Sequence, residues 1–288
     1  MKCYICDGEK ISKRRGKVRD NDKLDILQCD HCGLVFLSSY PNFDHIDNKF
    51  YEESKMRAED KEKNIEEMLE SAREDDERRY NYLKDKIKGK FIFILDYGCG
   101  AGGFMELSGA KFGVEPEDQT RNYLKEKGYV IFKDLIECEK SGLKFDYITL
   151  FHTLEHLKHP REVLKQLKSL LNPGGRIVIE VPNADDALLT MYDCKAFSEF
   201  TYWAPHLYLF NSNSFYIMAK DLGMEVNYLK HIQRYSLSNH IWWLMEGKPG
   251  GQKIMSFLND EKLMKEYERT LADMEVTDTI LVELRNVA

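Results

Sequence analysis

The sequence predicts an α/β protein: an open, doubly wound sheet of mostly parallel strands, preceded by a helical linker and a small N-terminal module organised by cysteines. Three observations carry this prediction. Four cysteines stand as two close pairs within the first 32 residues, a stretch dense in charge runs from about 52 to 90, and from Phe91 onward short apolar runs alternate with amphipathic stretches. Repetition of strand, helix, strand requires crossover helices on both faces, and hence a parallel sheet. The resulting boundaries are 1–45 for the module, 46–90 for the linker and 91–288 for the main domain.

With 288 residues and a formal charge of −7, the chain suits one ordinary domain plus something smaller, and a small-molecule enzyme rather than a nucleic-acid binder. No apolar run reaches the length needed to cross a bilayer, and Met1-Lys2-Cys3-Tyr4 lacks the hydrophobic core of a signal peptide, so a cytoplasmic location is expected. Cys99, Cys138 and Cys194 are scattered, so the two N-terminal pairs read as metal ligands rather than as half of a disulfide framework.

In the module, Cys3-x-x-Cys6 is followed after 22 residues by Cys29-x-x-Cys32. Two such knuckles place four thiolates around one zinc ion, with Gly8 and Gly33 close enough to permit the tight turns that aim amides at sulfur. A segment this short cannot build a core without the ion. The loop between the knuckles carries Lys10, Lys13, Arg14, Arg15, Lys17, Arg19 and Lys23, offset by Asp7, Glu9, Asp20, Asp22 and Asp25. It reads as a solvated loop, or alternatively as a docking surface for an anionic part of a substrate. In the linker, Ile65, Met68, Leu69, Ala72, Leu83 and Ile87 recur at helical spacing, which predicts one or two amphipathic helices with a solvated charged face.

Strands are expected at 91–95, 111–114, 129–132, 147–151 and 177–181, then near 226–229 and 279–284. The first leads into Asp96-Tyr97-Gly98-Cys99-Gly100-Ala101-Gly102. Glycines here let the backbone approach a ligand closely. The acid precedes the glycines, where it can meet a ligand ammonium, whereas a dinucleotide fold carries its acid later, on a ribose. Glu115 ends the second strand and can accept both hydroxyls of a ribose, and Asp134 ends the third, placed to accept an adenine amino group.

Through residues 91–230 the sequence thereby resembles the class I S-adenosylmethionine (SAM) dependent methyltransferases. The resemblance implies a Rossmann-like, seven-stranded sheet, with Asp96, Gly98, Gly100 and Gly102 around the methionine moiety of SAM, Glu115 on the ribose, Asp134 and Leu135 at the adenine, and Phe151 beside the cofactor. Few residues separate Gly103 from Lys111, so the helix after the glycine loop must be shorter than usual in that family. The N-terminal cysteines together with Cys29-Asp-His-Cys32-Gly-Leu-Val-Phe36 look like the zinc-ribbon methyltransferases of sugar and surface-polysaccharide pathways. A further similarity lies in Gln233-Arg-Tyr-Ser-Leu-Ser-Asn-His240 and Gly247-Lys-Pro-Gly-Gly251, within a substrate-facing insertion near 230–275. An ordinary pair of helices joined by a Pro-Gly turn accounts for that segment equally well, and Trp242 and Trp243 can either stack on a sugar or fill the core.

His152-Thr-Leu-Glu155-His156 formally matches a zinc-peptidase pattern, but that motif needs a helix whereas His152 ends a strand. At the carboxyl end of the fourth strand these side chains face the crevice where open parallel sheets bind ligands. The plainer reading is that they start the next helix. The sharper one rests on similarity to small-RNA 2′-O-methyltransferases and quinone-precursor O-methyltransferases, which implies a second divalent ion held by His152, Glu155, His156 and His206 to acidify a substrate hydroxyl. Without such an ion, a neutral imidazole is the natural base for a hydroxyl acceptor: His206 first, His152 second, with His156 in support. The expected function is methylation of a sugar or nucleotide-sugar hydroxyl, or an activated carbon, in surface-polysaccharide biosynthesis. The alternative is a ribosomal or transfer RNA methyltransferase gripping RNA through its zinc ribbon, which the acidic balance disfavours.

Overall fold

A computed structural model describes residues 1–39, 64–87 and 92–287. The expectations that fall on 40–63 and 88–91, namely the end of the N-terminal module, both ends of the linker and the start of the first strand at 91, lie outside the described residues. Strands β1 (Ile11–Lys13), β2 (Ile26–Cys29) and β3 (Val35–Leu37) are followed by helix α1 (Ile65–Ile87), β4 (Ile94–Tyr97), α2 (Gly103–Ser108), β5 (Phe112–Val114), α3 (Asp118–Glu126), β6 (Val130–Phe132), α4 (Leu135–Lys140) and β7 (Phe145–Phe151). A 3-10 turn at Leu154–His156 leads to α5 (Pro160–Ser169), β8 (Leu171–Pro182), α6 (Ala187–Thr190), α7 (Lys195–Ser198), β9 (Tyr208–Leu209), α8 (Ser212–Asp221) and β10 (Met224–Ile232). The chain ends through α9 (Leu237–Glu246), α10 (Gly251–Ile254), α11 (Glu261–Asp273) and β11 (Thr279–Asn286).

The seven-stranded sheet has the order β10-β11-β8-β7-β4-β5-β6. Its β7, β4, β5 and β6 run parallel, and β11 is antiparallel to β10. This is the expected Rossmann-like, seven-stranded open sheet. By contacts the chain divides into two compact units, one holding residues 64–153 and Glu162–Ile179, the other the N-terminal cysteines, Leu154–Arg161 and Glu180–Val287.

Within the first unit, helix α1 begins on a reciprocal cap: the Glu67 amide donates to Asn64 Oδ1 (2.9 Å) and the Asn64 amide to Glu67 Oε2 (3.2 Å). Its one fully buried apolar side chain is Leu83. The expected solvated face is interrupted by Asp76 and Arg79, both buried, an exception the spacing of charges alone does not reveal. Helix α2 is six residues long, as the short interval to Lys111 requires, and is closed at both ends by left-handed glycines, Gly102 (φ 82°) and Gly109 (φ 73°). Ile94, Met105, Leu124 and Ile131 pack as one core between this helix, α3 and the sheet. The expected fifth strand, β8, begins at Leu171 rather than 177. Its Pro-Gly-Gly stretch bends at Gly174 (φ 80°), and Gly175 follows where a Cβ would stand 3.0 Å from two carbonyl oxygens, those of Asn172 and Phe145.

In the second unit, β1, β2 and β3 form an antiparallel sheet completed by β9, with Val35 opposite Leu209 and Phe36 opposite Tyr208. Tyr4 lies edge-on to Phe36 and to Tyr208, at 5.4 and 5.5 Å. Between β10 and β11, the insertion is helical: Gly247 (φ 67°) ends α9, and α10 packs so closely that a Cβ on Gly251 would lie 2.2 Å from the Ser238 carbonyl. Trp243 is buried against Leu188, Cys194 and Phe197, so of the two readings for this residue the core one holds. No helix among the described residues is long and apolar enough to cross a membrane.

Candidate active site

The loop after β4 is shaped by steric necessity. Gly98 (φ 79°) has Thr153 Oγ1 2.4 Å from where a Cβ would stand, and Gly102 (φ 82°) has a Leu124 methyl at 2.6 Å. Gly100 (φ 50°) differs: among the described residues nothing lies within 4 Å of its would-be Cβ, so this glycine faces open space. That space is a cavity of about 210 Å³, lined by the 98–104 loop together with Asp96, Phe151, Asp76, Arg79 and the apolar side of α1 at Met68, Leu69 and Ala72.

Asp96 enters this cavity from the end of β4, 3% exposed, and its Oδ1 accepts the Thr149 hydroxyl at 2.7 Å. Burial pushes its carboxyl up to about 7; the Thr149 hydrogen bond and the Arg79 charge oppose that, while Asp76 and Glu115 add to it. Arg79 Nη1 donates to Asp76 Oδ1 at 2.8 Å and lies over the Phe151 ring at 4.9 Å, and Phe151 in turn meets Phe104 edge-on at 4.8 Å. A carboxyl that burial holds at the edge of ionisation, facing a cavity beside a glycine loop, has the chemistry to meet a ligand cation.

Five residues expected at a cofactor, Asp96, Gly98, Gly100, Gly102 and Phe151, therefore line one cavity. Glu115 is joined to it indirectly: Oε2 accepts the Gly100 amide and Oε1 the Glu117 amide, both at 2.9 Å, so this carboxylate braces the glycine loop. Asp134 and Leu135 are not among the lining residues; Asp134 caps α4 by accepting the Glu137 amide at 2.8 Å, and Leu135 is buried behind it. Asp76, Arg79 and Thr149 were not legible as site residues, since a charged pair three apart on a helix ordinarily reads as a surface pair.

The N-terminal cysteines converge in the other unit. Their sulfurs lie within 4.8 Å of one another, with Cys3–Cys32 and Cys6–Cys29 each at 3.5 Å. Those separations are too long for disulfides and close to the edge of about 3.8 Å that four Zn–S bonds of about 2.3 Å would set in a tetrahedron. The Ile5 amide points at Cys3 Sγ (3.5 Å), and Gly8 leaves the room the sulfurs need, since a Cβ there would stand 3.1 Å from Cys6 Sγ and 3.3 Å from Cys29 Sγ.

The basic loop between the knuckles is engaged within its unit. Arg14 donates to the Ala184 carbonyl (2.5 Å), Arg15 pairs with Asp193, Lys13 with Asp25 and Lys17 with Glu199. The same unit gathers Glu155, His156 and His206, whose ligand-capable atoms lie within 4.8 Å of one another. His156 Nδ1 stands 2.9 Å from the Pro205 carbonyl, which can only accept, so Nδ1 carries a proton and donates it in a hydrogen bond. The His156 and His206 rings meet at 4.9 Å. His152 does not belong to this trio; it turns the chain at the end of β7 in a left-handed conformation (φ 49°) that few non-glycine residues adopt. The expected four-residue metal set is thereby reduced to three.

A family profile described as a methyltransferase domain matches residues 55–246, two thirds of the sequence. The chain belongs to this family. The methyltransferase is also similar to the ubiquinone biosynthesis O-methyltransferase of Aeromonas salmonicida (strain A449), 30% identical over 118 residues, which are 36% of this chain and 50% of the relative. It is 27% identical over 116 residues to the protein of the same name from Coxiella burnetii (strain Dugway 5J108-111), again 36% and 50%. The chain thus spans about half the length of the curated relatives it matches. Among solved structures, the magnesium protoporphyrin IX methyltransferase of Synechocystis PCC 6803 with bound SAH aligns at TM-score 0.53 and 11% identity, over 83% of this chain and 98% of that one. The plantazolicin methyltransferase BpumL in complex with SAH aligns at 0.51 and 16%, over 83% and 93%. Both show the same fold.

Proposed function

We propose that this methyltransferase moves the methyl group of SAM to a hydroxyl of a sugar-type small molecule, with His206 as the base. The observation that carries the reading is the cradle of Gly98, Gly100 and Gly102 closed by buried Asp96. Its geometry suits the amino-acid end of SAM: Asp96 would hold the ammonium, and Gly100 leaves the space a side chain would fill, while the Gly98, Gly100 and Gly102 amides are spent on Val114, Glu115 and Cys99 and so shape the loop. SAM supplies a sulfonium methyl to a nucleophile. What remains for the chain is to orient the acceptor, take its proton and exclude water.

In the sequence, Phe151, which lines the cavity, and Glu155 of the acid–imidazole trio are four residues apart. His206 suits proton removal because an imidazole nitrogen can accept a hydroxyl proton, and His156 is held beside it by the hydrogen bond from its Nδ1 to Pro205. The relatives' name, O-methyltransferase, agrees with an oxygen acceptor. The sugar class rests on the resemblance of the cysteine module and of 233–251. Assaying the purified protein with SAM against nucleotide sugars and free sugars, with mass detection, should show a gain of one methyl. Turnover should fall by roughly 10² to 10⁴ fold in His206→Ala with SAH affinity near wild type. No methyl gain on any sugar, with methylation of a phenolic acceptor instead, would overturn the sugar class, and a fully active His206→Ala the base.

A second reading of the same trio is favoured by the mutual spacing of Glu155, His156 and His206. A divalent ion held there would lower the pKa of the acceptor hydroxyl and orient it. Chelation that abolishes turnover while the cysteine zinc stays bound, with recovery on adding Mg²⁺ or Mn²⁺, would select this reading. Zinc at Cys3, Cys6, Cys29 and Cys32 is proposed as structural.

A further inference from the structure

We propose that Arg19, in the loop between the zinc knuckles, is a positioning residue that fixes His206 through Trp203. All the groups concerned lie within one compact unit. The backbone of 16–20 runs beside that of 198–204: the Lys17 amide donates to the Ser198 carbonyl (3.2 Å), the Arg19 amide to the Tyr202 carbonyl (2.9 Å), and Asp20 Oδ1 accepts the Ala204 amide (2.8 Å). The approach is close enough to demand a glycine, since a Cβ on Gly16 (φ 131°) would stand 2.5 Å from the Ser198 carbonyl oxygen.

On this frame the Arg19 guanidinium lies over two rings at once, 4.6 Å from the Trp203 centroid and 4.8 Å from that of Phe200. Trp203 meets His206 edge-on at 4.9 Å, the His206 amide donates to the Trp203 carbonyl at 3.0 Å, and His206 meets His156 at 4.9 Å. A continuous set of contacts thus runs from the zinc-knuckle loop to the proposed base. Downstream of His206 the segment is tied again, by the Leu37 amide on the Leu207 carbonyl and by pairing of β9 with β3. The histidine sits in a short span anchored on both sides by the cysteine module.

Arg19 itself is exposed, so it does not fill the core, and its planar cation suits stacking in a way that lysine reproduces only in part. A residue whose main contacts are two rings next to an active-site candidate acts by orientation. The consequence for turnover rests on the base reading given above; the placement of His206 does not.

The two are separable by experiment. In the full-length, zinc-loaded protein with labelled histidine, the His206 ring resonance, identified by its loss in His206→Ala, should be displaced by the neighbouring Trp203 ring. In Arg19→Gln and in Trp203→Leu that displacement should be lost, and in Arg19→Lys partly restored, with zinc content and SAH affinity as in wild type. On the acceptor found by the sugar assay, Arg19→Gln should lower kcat roughly tenfold, the size typical of removing an outer orienting contact, with KM for SAM unchanged. An unmoved His206 resonance in Arg19→Gln or Trp203→Leu overturns the proposal. If Arg19→Gln fails to fold, Arg19→Lys and Trp203→Leu decide by the same resonance. A displaced resonance that responds to Arg19, combined with a fully active His206→Ala, upholds the placement and removes the base reading instead.

Discussion

The ionisation of Asp96 gives the sharpest test of the proposed cofactor site. In the ligand-free protein its carboxyl is pushed up to about 7 from 3.8, because burial in the cavity wall outweighs the single hydrogen bond from Thr149 and the charge of Arg79. Holding it ionised therefore costs about 4 kcal/mol at most, on the scale of 1.36 kcal/mol per pKa unit. A ligand ammonium in contact with it would offset that cost, so binding should select the ionised form and release a proton when the pH is below about 7. The ionised fraction falls from about nine-tenths at pH 8 to about one-eleventh at pH 6, and SAH affinity should fall about tenfold with it. The sign for stability is opposite: a carboxyl raised in the folded state loses stability as pH climbs from about 4 to 7. Asp96→Asn should accordingly raise the melting temperature of the ligand-free protein at pH 8 while abolishing tight SAH binding. Calorimetry in two buffers of different ionisation enthalpy measures both affinity and proton release. An SAH affinity that is flat between pH 8 and 6, or an Asp96→Asn protein that binds with the same pH dependence as wild type, would refute the reasoning.

Other perturbations follow from the same geometry. Gly98→Ala must hold a left-handed residue, costing about 1–2 kcal/mol, and drive a Cβ against Thr153; the melting temperature should drop and SAH binding weaken, as differential scanning fluorimetry with and without SAH would show. Arg79→Met leaves Asp76 buried beside Asp96 without its cation and should destabilise the fold by about 3 kcal/mol in urea unfolding, whereas the double change Asp76→Leu with Arg79→Met should recover most of it. Elemental analysis should find one zinc per chain, absent in Cys29→Ser. Hydrogen exchange in that variant should rise across 16–20 and 202–209 while 92–153 stays protected.

Much of the fold was legible because periodicity and punctuation agree. Apolar runs placed β4 to β7 within a few residues, and the short interval between Gly103 and Lys111 correctly required the six-residue α2. The glycines of the 98–102 loop could be assigned because backbone conformation and close approach leave a residue-type signature. Asp76 and Arg79 escaped because burial of a charged pair depends on what the opposite wall presents, here Phe151 and the glycine loop, and not on its own helix. Asp134 has a local task that spacing does not announce: its Oδ1 takes the Glu137 amide and caps α4, a role common for a short acid before a helix. The fifth strand begins at Leu171, six residues before the apolar run at 177 that announces it, because the intervening Pro-Gly-Gly carries no apolar pattern.

The cysteine module illustrates how a local motif understates its structural reach. Four cysteines predict a self-contained metal fold, yet β3 finds its second neighbour 170 residues onward in β9, and the basic loop spends Arg14 and Arg15 on Ala184 and Asp193. No period or spacing in either segment announces this pairing, because a two-residue strand such as Tyr208–Leu209 carries no pattern of its own. If the four cysteines hold the proposed zinc, removing it should loosen the β2–β3 pairing and with it the edge on which β9 pairs. Since His206 lies two residues before β9, zinc at one end of the sequence should govern the order of an imidazole near the other. The module is then better regarded as the frame of the acceptor segment than as a separate appendage.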